Sequence, residues 1–301
     1  TDINEQSYTM QTTKSVNITR NNVQPMAALQ FVSNTPASNK IWYTKTAAAM
    51  AEEGGKNPTE FYDDAPNPFD ATIKTNGHYY DEAAGKFVIE FTTPVTTIKA
   101  YAFRDTQIET ITLPEGLVTI ENQAFRHTPL KEITIPGSVN TIGQDAFYDC
   151  DYLTSVTFLP SATQTPLNIW YQKASTYEYG TFYDSPLTDI NLNRELVYNE
   201  FNLDSWKEGI FASEDYASVA SVTVTIGNQV RTIDDYMFAY LNIKNLTIPA
   251  NVMSIGRNAF DGCSKLATLT FEESATPLVI KGQDDSDGPF YDSPLSTIDF
   301  N

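Results

Sequence analysis

The sequence has 301 residues, of which 19 are Lys or Arg and 38 are Asp or Glu, so the formal net charge is −19 at pH 7. A negative field of this size repels phosphates and anionic lipid head groups, which argues against binding to nucleic acids or membrane surfaces. Hydrophobic residues make up 41% of the chain and aromatic residues 12%, which is too much for a disordered acidic tail, so an acidic folded protein is expected.

The chain starts with a polar segment. Residues 1–40 are rich in Thr, Asn, Gln and Ser and show no sustained periodicity, so an extended arm or linker is predicted. No apolar run approaches the roughly 20 residues that a membrane span needs, and no direct insertion is expected. The start at Thr1, without a basic and apolar leader, is typical of a trimmed mature end.

The next segment, residues 41–97, is predicted to form a β-structured region. Phe87–Phe91 is a strand candidate, and Ala71–Lys74 is its expected partner. Gly77 and Gly85 occupy plausible turns between the two. Because a stack of repeats needs its first unit covered, this segment is predicted to be an N-terminal β cap.

From residue 98 to 301 the sequence repeats. The pattern Ile-x-x-x-Ala-Phe returns at a constant interval in the regular units, and the units that end at Phe182, Phe211 and Phe238 are longer than the others. About eight units are therefore predicted, marked by Phe103, Phe125, Phe147, Phe182, Phe211, Phe238, Phe260 and Phe290.

Between these Phe lies a second element of the form apolar-x-x-apolar-x-apolar, such as Leu130, Ile133 and Ile135. One unit cannot bury its apolar side alone, so the units are expected to stack with their strands in parallel. The Ala-Phe segments are too short for stable helices, which predicts one-turn or 3₁₀ structure there. The fold class predicted is a β-rich α/β solenoid, with a parallel sheet on its concave face and short helical or 3₁₀ turns on the convex side.

The combined pattern Leu-x-x-Ile-x-Ile-Pro-x-x-Val-x-x-Ile-Gly-x-x-Ala-Phe closely resembles the leucine-rich repeats of the BspA-like bacterial surface protein family. The resemblance covers about two thirds of the chain, from Ile98 to Asn301. The sequence departs from this pattern at Asn191–Arg194, Ser221 and Leu159. The units that contain these residues are therefore expected to be the least regular. The resemblance implies an exported protein, at the bacterial surface or secreted, with adhesin-like binding of host matrix or neighbouring-cell proteins; a lipid anchor is left open.

The longer units carry aromatic residues in their insertions. Loops on a rigid scaffold are frequent recognition sites, so these rings are candidate ligand-binding residues. The alternative is that they fold down over the edge of the core. If they are exposed, a partner protein or a glycan is the expected ligand, and the candidates are Trp170, Tyr171, Tyr177, Tyr179 and Trp206.

The outward positions of the long strands form a ladder of small polar side chains. Thr suits strands and tolerates solvent, so this ladder needs no ligand to explain it. It holds none of the Trp, Tyr and Arg that dominate interface energetics. Its members include Thr134, Thr157, Asn191, Thr225, Thr247, Thr270 and Asp299.

Residues that could carry chemistry are sparse. His78 and His127 are expected to be exposed turn residues, with no metal site. Cys150 and Cys263 occupy the same position of two units about 20 Å apart, too far for a disulfide, and are expected to be core thiols. With no nucleophile elbow, phosphate loop or dinucleotide motif, neither enzymatic activity nor a cofactor is expected.

The acidic stretch Gln283–Gly288 resembles the start of a calcium loop. Gln283 replaces the first ligand, however, and Pro294 stands where a bidentate Glu is required. A solvated insertion loop is the simpler interpretation, and calcium binding at 284–288 is left open.

The sequence ends in a repeat strand, Ile298–Asn301. A terminal strand without a neighbour leaves backbone groups unpaired and apolar side chains exposed. The chain is therefore expected either to be part of a longer protein or to have this end covered by another chain, for example by self-association. A structural spacer that binds its own copies is accordingly the third functional hypothesis, after protein binding and glycan binding.

Overall fold

The computed structural model describes residues 39–52, 54–59, 61–62, 68–170, 180–198, 209–211, 221–282 and 288–300. The predicted arm over residues 1–40 lies outside these ranges except for its last two residues. The division into arm, cap and solenoid stays a prediction.

Strands dominate the described residues, and their helical structure is one short helix after the first strand. The elements are β1 (Lys40–Lys45), α1 (Ala47–Ala51), β2 (Ile73–Asp81), β3 (Lys86–Phe91), β4 (Thr97–Ile98), β5 (Ile108–Thr112), β6 (Thr119–Ile120), β7 (Glu132–Ile135), β8 (Thr141–Ile142), β9 (Ser155–Phe158), β10 (Leu167–Ile169), β11 (Asp189–Leu192), β12 (Leu196–Tyr198), β13 (Thr223–Ile226), β14 (Thr232–Ile233), β15 (Asn245–Ile248), β16 (Ser254–Ile255), β17 (Thr268–Phe271), β18 (Val279–Ile280) and β19 (Thr297–Phe300).

The first three strands form an antiparallel sheet that continues onto the first repeat strand, in the order β2-β3-β1-β5. The predicted pairing of the two strands is confirmed, since Ile73 lies opposite Phe91. The prediction of a turn at Gly77 is wrong. Gly77 lies inside β2, where the register shifts, and a Cβ on it would approach the carbonyl oxygen of Glu90 to 2.6 Å. The turn is made by residues 82–85, with Gly85 in the left-handed region at φ 65°.

After this sheet the chain forms eight stacked coils. We number coils 1 to 8 by their Phe in chain order; each coil has a short strand before its Phe and a long strand after it. The long strands β7, β9, β11 and β13 pair in parallel, as do β15, β17 and β19. Their apolar residues alternate into the core, and Pro136 and Pro249 follow the strand ends, where the missing N–H stops the pairing. The short strands form two further parallel sheets, β4-β6-β8-β10-β12 and β14-β16-β18.

The Ala-Phe segments fold as successive turns, in agreement with the expected one-turn structure. In coil 2, Ala124 N–H donates to Glu121 O at 3.3 Å and Thr128 N–H to Phe125 O at 3.2 Å. Gln123 and His127 have φ of 54° and 57°, and such left-handed residues prevent the turns from continuing as a helix. The N–H of every second residue bonds to the next coil, so this side also carries a backbone ladder between coils.

The Phe side chains form a continuous ring stack through all eight coils, which confirms the repeat prediction. Neighbouring ring centroids lie 5.0–5.8 Å apart with interplanar angles of 1–27°. The first seven rings are buried, and the last, Phe290, is half-buried. Together with the buried Ile and Leu ladders, the stack forms the single apolar core expected for a leucine-rich-repeat solenoid.

Both strand ladders are interrupted at the same junction, between coil 5 and coil 6. β12 and β14 belong to different sheets, and so do β13 and β15. Among the described residues, an isolated bridge between Val222 and Ile243 lies just before β13 and β15. The predicted irregularity near Ser221 agrees with this break. The one predicted at Asn191 does not appear in the sheet, because β11 pairs in full register with both β9 and β13.

Candidate binding surfaces

The outward residues of the long strands form a polar face, as the sequence indicates. The pairing places Thr134, Thr157, Asn191 and Thr225 side by side, and Thr247, Thr270 and Asp299 likewise. All are exposed or half-buried. These side chains are short and their hydroxyl, amide and carboxylate groups are solvated, so they offer no apolar anchor for a partner.

Trp170 is one of the predicted aromatic candidates and is exposed. It follows the end of β10, where its N–H donates to Ile142 O at 2.8 Å, and the residue is 52% accessible to solvent. The backbone is thus fixed by the ladder while the ring stands in solvent. The other four candidates, Tyr171, Tyr177, Tyr179 and Trp206, lie outside the described residues, as do 284–287 of the acidic stretch.

The last coil exposes the largest group of apolar side chains in the described part of the chain. Phe300 is 79% exposed, Val279 57%, Ile280 53% and Ile298 51%. Together with Leu269, Phe271, Leu278 and Phe290 of the last two coils, three of these residues (Ile280, Ile298 and Phe300) line an open groove of about 470 Å³. We call this groove the end groove. The sequence predicted exposed apolar residues at this end, but not the groove, since its walls come from strands that are separate in the sequence and meet only when the coils stack.

The two histidines differ. The prediction that His78 is an exposed turn residue is wrong, because it lies in β2 and is half-buried. Its Nε2 lies 2.8 Å from the Tyr43 hydroxyl, within hydrogen-bond distance, and that hydroxyl accepts a hydrogen bond from Thr59 N–H. Burial, with a contribution from the charge of Lys45, lowers the pKa of His78 to about 4.

His127 lies in a turn, as predicted, and bridges neighbouring coils. Its Nδ1 is 2.8 Å from Asp105 Oδ1, and its Nε2 is 3.0 Å from Asp149 Oδ2. The three residues occupy the same position of coils 1, 2 and 3, two residues after the Phe. Among the described residues, no group of three or more His, Cys, Asp or Glu is arranged to hold a metal ion.

Cys150 and Cys263 are buried and unpaired, which confirms their interpretation as core thiols. Each Sγ donates to the carbonyl of a Phe in the preceding coil, Phe125 or Phe238, at 3.2 Å. Burial raises the pKa of both thiols to about 12, so neither forms a reactive thiolate at neutral pH.

Arg194 has a structural role that the sequence did not indicate. It is only 1% exposed, and its guanidinium donates to Gly137 O at 3.1 Å and to Val139 O and Thr165 O at 2.7 Å. Burial lowers its pKa to about 10. These carbonyls belong to the two preceding corners of the stack, after β7 and after β9, so the side chain joins three successive corners. We call this arrangement the Arg194 clasp.

Helices long and apolar enough to cross a membrane do not occur in the part of the chain that the structure describes.

Solved structures similar to this chain are leucine-rich repeat proteins. One from Bacteroides ovatus is 21% identical, with a TM-score of 0.43, over 69% of this chain and 53% of its own. A leucine-rich cell surface protein from Faecalibacterium prausnitzii is 20% identical, with a TM-score of 0.32, over 64% of this chain and 54% of its own. The pneumococcal vaccine antigen PcpA is 17% identical, with a TM-score of 0.24, over 74% of this chain and 71% of its own. This chain therefore spans about half the length of the first two. Curated proteins give no match.

The family comparison agrees with the repeat structure. The BspA type leucine-rich repeat region, in six copies, matches residues 73–200 and 175–301, which together cover β2, β3 and all eight coils. These ranges exceed half of the chain. The repeat pattern, the ring stack and this match lead to one conclusion: the chain belongs to the family of BspA type leucine-rich repeat regions.

Proposed function

We propose that this chain is a non-enzymatic repeat protein, exported to the bacterial surface or secreted, that binds proteins of the host matrix or of neighbouring cells as an adhesin does. The observation that supports binding is the end groove, where Ile298 and Phe300 are more than half exposed. Exposed apolar patches on a folded protein are typical of protein interaction sites. The surface location and the adhesin-like role rest on family membership and are argued by analogy.

The end groove suits a protein partner better than the polar strand face does. A groove of about 470 Å³ with walls of Leu269, Phe271 and Phe290 can enclose one or two large apolar side chains. Such anchors carry most of the energy of protein interfaces. Glu272, Ser274 and Thr276 lie at the same groove and supply polar groups around these walls.

Glycan binding is the second candidate, and the exposed ring of Trp170 favours it. An indole held by a rigid strand offers a flat apolar face on which a sugar ring can stack. Under this alternative, Trp170 and the insertion that follows it are the binding site, and the end groove is not involved.

Binding to a panel of immobilised extracellular-matrix proteins, together with a glycan array, tests these functions. We expect saturable binding to at least one matrix protein and a loss of about tenfold or more in affinity for Phe300→Ser, as for removal of an aromatic anchor. Tyr152→Ser is the matched control, because Tyr152 is 60% exposed and does not line the groove. Its affinity should equal that of the unaltered protein.

The outcomes separate the candidates. Binding to glycans alone, abolished by Trp170→Ala with unchanged thermal unfolding, would replace protein binding with glycan recognition. If neither assay shows binding, and light scattering shows a molar mass that rises with protein concentration, the self-associating spacer would be favoured instead.

A further inference from the structure

The strand β2 contains an interruption in its pairing with β3. The two strands are aligned at Ile73, and their alignment resumes at His78. The four residues 74–77 between these positions lie opposite a single residue of β3, Glu90, and form a large β-bulge. Their backbone therefore has no one-to-one alignment with the neighbouring strand.

The only Asn-Gly step of the sequence, Asn76–Gly77, lies in this bulge. Asn76 is exposed and has a φ of 58°, in the left-handed region that Asn adopts more readily than most residues. Gly77 is buried, and a Cβ on it would approach Glu90 O to 2.6 Å and Lys74 O to 2.9 Å. The bulge thus requires glycine after Asn76, and glycine has no side chain that hinders an approach to its own nitrogen.

An Asn-Gly step favours one intramolecular reaction. The backbone nitrogen of Gly77 forms a bond to Cγ of Asn76 and loses its proton to solvent, while the amide nitrogen takes up a proton and leaves as ammonia. Water then opens the resulting succinimide ring at either of its two carbonyl carbons. Opening at one carbon gives an aspartyl residue with a normal main chain, and opening at the other gives an isoaspartyl residue, whose main chain runs through the former side chain.

We propose that Asn76 is a modification site, at which the folded protein undergoes spontaneous deamidation to aspartyl and isoaspartyl products. In a regular strand the ladder holds each residue extended against its neighbour, which hinders the approach of the next nitrogen to Cγ. In the bulge, residues 76 and 77 lack this alignment, and the exposed side chain is accessible to water, the only co-reactant. The reaction is independent of what the protein binds.

The isoaspartyl product should disturb the sheet around the bulge. It adds one carbon atom to the main chain two residues before His78, whose Nε2 lies 2.8 Å from the Tyr43 hydroxyl. On the other side of the bulge, the ammonium of Lys74 forms an ion pair with Glu90. Both contacts depend on the length of the bulge, so the isoaspartyl form should unfold more easily than the aspartyl form.

Peptide mapping by mass spectrometry, after incubation at mildly alkaline pH, tests the modification. Asn76 should show the mass gain of about 1 Da that conversion of an amide to an acid brings. Its rate should be at least about tenfold higher than that of Asn140, which is also exposed but precedes Thr141, and within about tenfold of the rate in a synthetic peptide with the sequence of Ile73–Asp81. Asn76→Gln should remove the gain at this position, and circular dichroism checks that this variant remains folded.

The proposal is overturned if the folded protein gains no mass at Asn76 while the peptide does, because the bulge would then protect this residue as a regular strand does. It is also overturned if Asn140 reacts as fast as Asn76, or if neither the protein nor the peptide reacts. For the effect on the sheet, freshly prepared Asn76→Asp is the matched control, since it carries the new charge on a normal main chain. The isoaspartyl form, identified by isoaspartyl methyltransferase labelling, should unfold at a lower urea concentration than this variant, and equal midpoints would overturn the predicted disturbance.

Discussion

His78 is a half-buried polar side chain that is held by a specific partner. Its Nε2 lies within hydrogen-bond distance of the Tyr43 hydroxyl, at 2.8 Å. The sequence could not indicate this environment, because Tyr43 and His78 are distant in the chain and meet only through the pairing of β1, β3 and β2. A His in a polar context next to Gly77 has the local appearance of a turn residue.

His78 makes stability depend on pH. Burial lowers its pKa to about 4 in the folded state, from 6.5 in the unfolded chain, so the unfolded state binds more protons between these values. The stabilisation is complete above pH 6.5 and is lost as pH falls towards 4. Because the ring is partly exposed, we expect a loss of about 1–2 kcal/mol, rather than the full value of the shift.

Urea unfolding at a series of pH values measures this loss, and His78→Gln should flatten the slope in that window. His127→Gln is the control, and should not remove the slope assigned to His78. An unaltered slope in His78→Gln would assign the pH dependence to other groups.

At the scale of elements, the stack of Phe rings is the feature that the sequence predicts best. A Phe that returns at a constant interval in the regular units is a local periodicity, visible without any knowledge of long-range contacts. The antiparallel closure of β5 by β1 was not visible, since it joins segments on either side of the β2–β3 hairpin and depends on a register that no local pattern encodes. The end groove was missed for the same reason.

The free energy of unfolding that is lost when a Phe of the stack is replaced should depend on how deeply that Phe is buried. Phe147 is fully buried between Phe125 and Phe182, at 5.1 and 5.0 Å, and Phe147→Ala should cost about 3–5 kcal/mol. Phe290 is half-buried with one ring neighbour within the stack, and Phe290→Ala should cost less than half as much. Denaturant midpoints at constant m-value measure both. Equal costs would mean that the stack does not act as a buried ladder.

At the scale of the whole molecule, each coil contacts mainly its neighbours, so stability is a sum of coil and interface contributions. The junction between coils 5 and 6 interrupts both strand ladders. The Phe stack continues there with its longest spacing, 5.8 Å between Phe211 and Phe238. At this junction neither the short strands nor the long strands of the described residues belong to one sheet.

Hydrogen exchange should therefore divide the coils into two groups. We expect amides of β7, β9 and β11 to share one opening free energy, and those of β15 and β17 to share a different one, because the two groups of strands belong to separate sheets. Mass spectrometry of exchange over increasing times measures this. A single protection level for all five strands would show that the interruption does not limit cooperativity.

The Arg194 clasp has a consequence for how the stack of coils responds to a pulling force. Hydrogen bonds between successive coils are loaded one after another when the ends of a stack are pulled apart, so the chain peels from an end. The guanidinium of Arg194 instead bonds carbonyls of two preceding corners at once, at Gly137, Val139 and Thr165, and these bonds are loaded together. In a single-molecule stretching experiment, we therefore expect the coils that Arg194 joins to open at a higher force than in Arg194→Met.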